Sequence, residues 1–236
     1  MKIEILYPEL CCLFGDKANM RYLQACLPDA EFVETGLTES PVFAAETPDL
    51  VYLGSMSEQS QEILISVLAP HKERLRELFS TSGLFLMTGN ALEIMGSHIT
   101  REDGTEIEGL GLVDLHAVRQ TPKRFNSLVV AEFGGTKIVG YTSRFSHSYM
   151  DNSANALFRV TTGVGLNPDS KLEGFHINRV YATYLLGPLL VSNPDFTIAL
   201  LAELGVSLNR LPFHEAIYQA YRKKLAELQK PGLNLN

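Results

Sequence analysis

Along the first half of the chain, short apolar runs alternate with stretches whose apolar positions recur at helical spacing. Lys2–Tyr7 reads as a strand ended by Pro8, and Lys17–Leu27 as a helix with Met20, Leu23 and Leu27 on one face. Glu31–Glu34 and Leu50–Leu53 read as strands, the second closed by Gly54. Gln59–Phe79 carries two helical stripes parted at Pro70, the first through Ile63, Leu64, Val67 and Leu68, the second through Leu75, Leu78 and Phe79. Gly83–Met87 is a wholly apolar strand that runs into Thr88-Gly89-Asn90, and the spacing of Leu92, Ile94 and Met95 predicts a helix behind it. Strand, glycine turn and helix is the arrangement in which a helix N-terminus faces a ligand from the carboxyl edge of a parallel sheet. The βαβαβ order predicts a parallel, doubly wound sheet.

The second half is richer in strand patterns. Leu110–Val118, Ser127–Glu132 and Ile138–Tyr141 read as strands, with a turn at Gly134-Gly135, and Arg101–Glu106 as a solvated turn. Arg179–Leu186 reads as a late strand stopped by Gly187-Pro188, and Asp195–Leu204 as a helix with an acidic first turn. A last helix at about 213–229 has an apolar stripe of Ile217, Tyr221, Leu225 and Leu228. That stripe must face something, and its own domain is the expected answer. No linker composition and no repeat interrupts residues 1–236, so one α/β domain is expected.

Composition narrows the function classes. Hydrophobic residues make up 45% and charged residues 20%, an ordinary globular balance. A net charge of −7 without a Lys/Arg run lacks the field that draws nucleic acid. No apolar run reaches the roughly 18 residues of a membrane span, and Met1-Lys2-Ile3-Glu4 does not open like a signal peptide. Cys11, Cys12 and Cys26 form an odd, clustered set, a poor disulfide framework that points to a reducing cytoplasm. The six histidines pair at no metal-ligand spacing, so neither a metal nor another cofactor is expected. On spacing alone, the lone Gly89 turn is neither a dinucleotide fingerprint nor a P-loop.

Several segments in collinear order resemble one family. Cys12-Leu13-Phe14-Gly15-Asp16-Lys17-Ala18-Asn19 is similar to N-L-Y-G-D-x-G-N, and Leu53–Gln61 to a glycine-rich G-G-G-x-D-x-x-Q loop. Gly89–Gly96 resembles C-x-G-x-Q-x-L-G, and Asp103–Leu112 resembles D-G-T-x-x-x-G-L-G-L/I. Glu173-Gly174 followed by Ala182–Leu190 resembles E-G and then G-T-Y-L-H-G-P-x-L. These are features of the class I glutamine amidotransferases of the cobyric acid synthase type, and within them of the glutaminase subunits of bacterial lipid II isoglutaminyl synthase. The resemblance covers residues 1 to about 204. It implies a three-layer α/β sandwich with a largely parallel central sheet.

It also implies a chemistry whose residues are missing. In the family a cysteine on the strand-to-helix elbow attacks the glutamine amide, and a histidine on the late strand activates it. Counting back from Gly96 puts Gly89 at the nucleophile position, whereas counting forward from Gly83 points nearer Met87. Neither is a cysteine, and Leu186 stands at the histidine position. The loop that supplies backbone N–H groups to the oxyanion keeps Gly54 but continues Ser55-Met56. Arg144-Phe145-Ser146 stands where relatives carry an Asn-His pair. Arg124, in Lys123-Arg124-Phe125, aligns with a segment whose arginine lies near the glutamine site, and it can hold a carboxylate or stand as an exposed surface arginine. Cys12 reads as a small buried side chain, and Thr88 as a hydroxyl with no base in its motif to activate it.

Three functional readings follow from the resemblance. The first is a catalytically silent member acting as a binding or regulatory subunit beside a Mur-ligase-like or other synthetase. The second is an amidotransferase or amidase with displaced catalytic residues. The third is a sensor that takes a small carboxylate or amino acid in the old glutamine pocket. Gly54, Thr88, Gly89, Asn90 and Arg124 are the ligand-binding candidates, and Gly89 and Leu186 the degenerate catalytic positions.

Overall fold

Leu50–Leu53, Phe85–Thr88 and Val180–Thr183 are buried at every position. A strand without an exposed face belongs inside a sheet covered on both sides. The computed structural model, which describes residues 1–81 and 83–230, has that arrangement. The strands are β1 (Lys2–Leu6), β2 (Glu31–Thr35), β3 (Leu50–Leu53), β4 (Phe85–Thr88), β5 (His98–Thr100), β6 (Glu106–Glu108) and β7 (His116–Arg119). They continue as β8 (Phe125–Phe133), β9 (Thr136–Arg144), β10 (Ser146–Tyr149), β11 (Phe158–Thr162), β12 (Leu172–Glu173), β13 (Phe175–Ile177) and β14 (Val180–Thr183). The helices are α1 (Lys17–Cys26), α2 (Val42–Ala45), α3 (Glu58–Leu68), α4 (Lys72–Ser80), α5 (Leu189–Ser192), α6 (Pro194–Glu203) and α7 (His214–Leu228).

The central sheet runs β13-β14-β4-β3-β1-β2. All its pairs are parallel except β13 with β14. Alternate strand positions feed two cores. Val51, Leu53, Phe85 and Met87 meet Leu64, Leu68, Leu75 and Leu78 of α3 and α4. Ile3, Ile5, Tyr52 and Leu86 meet Met20 and Leu23 of α1 and Phe196 and Leu200 of α6 on the other face. Helices therefore cover both faces of a mostly parallel sheet, the fold class expected from the sequence. Two smaller sheets, β10-β7-β5-β6 and β12-β11-β8-β9, extend it.

The β8–β9 hairpin turns at Gly134-Gly135, where φ is +52° and +84°. Positive φ at both central residues suits the twist of a tight hairpin. The α7 stripe lies on this chain's own sheet: Leu228 packs with Val130 and Val139, flanked by Tyr221 and Leu225, and Ile217 joins the α1 and α6 core.

Two expected elements differ, for one reason. The segment behind Thr88 is a 3-10 helix, Gly89–Met95, rather than an α-helix. The expected strand Leu110–Val118 is a loop until His116. The N–H groups of Leu110, Gly111 and Leu112 donate to the carbonyls of Ile94, Gly96 and Met95. The apolar run thus satisfies the carbonyls at the end of the tight helix, a need every helix end has. Strands β5, β10, β12 and β13 and helices α2 and α5 have patterns too short to stand out in the sequence, and β11 is not among the expected strands. The turn at Arg101–Glu106 gives way to β6 at Glu106.

Candidate functional site at the carboxyl edge of the sheet

The loops after β1, β3, β4 and β14 converge at the carboxyl ends of the parallel strands, where open α/β sheets hold ligands. Asp16 joins them. Its carboxylate is fully buried and accepts the Ser55 N–H (2.6 Å), the Thr88 hydroxyl (2.8 Å) and the Gly187 N–H (2.6 Å). Burial pushes this carboxyl above the usual range, and the three donors oppose that shift. Tyr52 extends the cluster, its hydroxyl 2.9 Å from Thr88 Oγ1 and receiving the Asn19 amide at 3.1 Å.

The backbone settles which residue occupies the elbow. Met87 is an ordinary buried strand residue, whereas Gly89 has φ +63° directly after β4. A Cβ built on Gly89 would lie 2.4 Å from Ser55 Cβ and 3.0 Å from Leu186 Cδ2. The space in front of the elbow is therefore filled by the side chains of the β3 loop and the β14 loop. The β3 loop is fastened as well. Its Ser55 N–H goes to Asp16, and Asn90 binds Met56 reciprocally, Oδ1 to the N–H and Nδ2 to the carbonyl, both at 3.0 Å. The Ser55 and Met56 N–H groups are thus both engaged inside the protein.

Beside this plug a cavity of about 130 Å³ remains, walled by Gly89, Asn90, Arg124, Arg144, Phe145 and Leu186 among others. Of the ligand-binding candidates, Gly89, Asn90 and Arg124 line it. Gly54 and Thr88 do not: Gly54 is packed so closely that an added Cβ would lie 2.3 Å from the Cys11 carbonyl, and Thr88 is fully buried. Thr88 does have a carboxylate partner, Asp16, which its own motif does not contain. Cys12 is exposed rather than buried, while its neighbour Cys11 is buried, as is Cys26. Arg124 lies over the Phe145 ring at 4.1 Å and donates to Ser143 Oγ at 3.1 Å.

Behind the cavity lies a second buried polar cluster. Glu93 accepts Gln61 Nε2 (2.7 Å), the Tyr184 hydroxyl (2.7 Å) and the Ser146 hydroxyl. Burial raises its pKa, against these donors. Glu173 accepts Thr183 Oγ1 (2.6 Å) and the Tyr184 N–H (2.7 Å), and burial pushes it up to about 7. The Arg144 guanidinium stacks 3.9 Å over Tyr184. Sequence reading assigned no role to Asp16, Glu93 or Glu173, though each lies in a quoted motif. The available signal was a carboxylate inside an otherwise apolar stretch, clearest for Glu93 between Leu92 and Ile94. Among the described residues, no three His, Cys, Asp or Glu side chains converge as a metal ion requires, and no helix is long and apolar enough to cross a membrane.

Comparison with known proteins gives the same frame. Residues 2–194 match the family described as the CobB/CobQ-like glutamine amidotransferase domain. The lipid II isoglutaminyl synthase (glutamine-hydrolyzing) subunit GatD of Staphylococcus aureus is 30% identical over 181 residues, covering 77% of this chain and 72% of that one. The subunit of the same name from Streptococcus pneumoniae is 25% identical over 229 residues, covering 92% and 86%. Among solved structures, PurLQS from Thermotoga maritima superimposes with a TM-score of 0.54 at 12% identity, covering 95% of this chain and 98% of that one. A glutamine amidotransferase crystal structure superimposes with 0.53 at 13%, covering 86% and 99%. At such identities the structural likeness speaks to the fold.

Proposed function

The chain belongs to the CobB/CobQ-like glutamine amidotransferase family, and from that premise we propose that it is a catalytically silent member acting as a binding or regulatory subunit. The observation that carries this reading is the packing at Gly89. The place of a nucleophile's side chain holds Ser55 and Leu186, and Leu186 can neither take nor give a proton. The engagement of the Ser55 and Met56 N–H groups supports it further, because an oxyanion would find no free donor on that loop. Its relatives are named as subunits of a glutamine-hydrolysing synthase. A Mur-ligase-like, ATP-dependent synthetase is the partner this reading assigns.

The expected outcome is no ammonia release from glutamine above a buffer blank, since losing nucleophile or base costs on the order of 10⁶-fold in well-studied hydrolases. A rate that survives repurification and vanishes in Cys12→Ala or Thr88→Ala would establish the displaced-residue enzyme instead. Size-exclusion chromatography with the Mur-ligase-like protein tests the subunit role, and co-elution is expected. A chain that stays monomeric and retrieves no synthetase leaves the sensor reading, which the remaining 130 Å³ cavity beside Arg124 favours.

A further inference from the structure

A second cavity, of about 340 Å³, shares Arg124 and Arg144 with the first but does not include Gly89 or Asn90 in its wall. It opens between the start of β8, the end of β9, β10 and the loop after β11. Its wall combines the cations Lys123, Arg124 and Arg144 with the apolar surfaces of Phe125, Val164 and Pro168. Among the described residues that line it there is no Asp or Glu. A chain of net charge −7 therefore carries a cavity whose charged lining residues are all cations.

Two of its lining residues carry buried nitrogens without hydrogen-bond partners. His147 is 3% exposed, and neither ring nitrogen has a hydrogen-bond partner. Arg144 is 5% exposed; Nη2 donates to the Gly165 carbonyl at 2.7 Å, while Nε and Nη1 have no partner. Stacking on Tyr184 engages the face of the guanidinium, and two nitrogens in its plane, Nε and Nη1, have no hydrogen-bond partner. The neighbouring carboxyls are occupied elsewhere, Glu93 by Gln61 and Tyr184, Glu173 by Thr183. Native proteins leave few buried polar groups unpaired, and those that remain call for an explanation. Burial, together with Arg144 and Lys123, pushes the His147 imidazole down to about 4. At neutral pH it offers one N–H and one bare nitrogen, not a further charge. Its ring lies against Phe125, with centroids 4.1 Å apart.

We propose that this cavity is a binding site for a small organic carboxylate with a flat apolar body. The carboxylate is received by Arg144 and the Lys123–Arg124 rim, and the body lies against Phe125 and His147. This site lies beside the old glutamine pocket, with which it shares Arg124 and Arg144, and does not depend on whether the elbow is silent.

The test titrates the full chain with benzoate, 4-hydroxybenzoate and phenylacetate, with benzyl alcohol as the uncharged control. Binding is read from the melting midpoint and from the imidazole NMR signals of His147. At least one acid is expected to bind saturably, to move the His147 signals, and to bind about tenfold or more tightly than the alcohol, the contribution of a charge-assisted contact. His147→Leu and Arg144→Met are each expected to weaken it about tenfold. If Arg144→Met does not fold, His147→Leu carries the test. The proposal is overturned if no acid binds up to about 10 mM, if the alcohol binds equally, or if His147→Leu binds unchanged. The first outcome leaves a hydrated cavity, and the last places the acid in the elbow cavity.

Discussion

Around Gly89 the polar groups satisfy one another. Asp16 holds three donors, from two loops and the end of β4, and Asn90 holds Met56 by both of its amide atoms. Around His147 the opposite holds: two imidazole nitrogens and two guanidinium nitrogens are buried with no partner, beside a larger cavity. The two regions share Arg124 and Arg144, so they differ by hydrogen bonding rather than by place. The Ser55, Met56, Thr88 and Gly187 donors, engaged internally, contribute stability and are not free for a reacting group. A site with unpaired buried donors sacrifices stability, and a ligand can recover it.

The comparison breaks first at Asp16. Asp16→Ala leaves the Ser55 and Gly187 N–H groups buried without an acceptor, and a loss of about 3–5 kcal/mol in urea denaturation is expected. A loss under about 1 kcal/mol would mean that packing alone holds the loops together.

Gly89→Cys tests the plug itself. The new Cβ overlaps Ser55 at a residue with φ +63°, so a cost of about 2–4 kcal/mol is expected. Adding Ser55→Gly removes the worst contact and is expected to recover about half of that cost. Equal stability of the single and double variants would show that the overlap relaxes by other means. Adding Leu186→His to Gly89→Cys is expected to give at most weak glutamine hydrolysis, because the oxyanion loop remains engaged.

The smallest effect has the opposite sign. His147→Leu removes an unpaired buried polar group and is expected to stabilise the ligand-free chain by about 1 kcal/mol. It also changes the pH dependence. Folded His147 titrates near about 4 and the unfolded residue near 6.5, so between those values the unfolded chain binds more protons. The His147 contribution to stability is therefore lost as pH falls from about 6.5 to 4, and the Leu variant lacks that loss. Denaturation of both chains at pH 5 and pH 7 measures the difference. Parallel shifts in the two chains would show that His147 is hydrated rather than dry.

Particular residues show where the sequence stopped being legible. The elbow strand, its glycine and the α7 stripe were readable because each signal lies within one run of chain. The helix expected behind Gly89 was misjudged because its carbonyls are satisfied by residues 110–112, which sequence spacing assigned to a strand. Gly54 lies on the loop after β3 and Thr88 at the end of β4, one residue beyond the expected strand, and packing behind the surface withholds both from the cavity. His147 carried no signal at all, since a histidine in a strand reads the same with or without partners.

By itself the sequence determined the parallel sheet, the helices on its two faces, and that Gly89 is no cysteine and Leu186 no histidine. Hydrophobic periodicity is local, and a residue type is read directly from its position. Only the tertiary structure decided that Gly89, not Met87, sits at the elbow, that Ser55 fills the space before it, and that Asp16 ties the loops together. The bond from Gly187 to Asp16 spans 171 positions, and the bond from Thr88 to Asp16 spans 72. Pairings at that separation have no period for a sequence pattern to display; they exist because folding brings the carboxyl ends of four parallel strands to one edge.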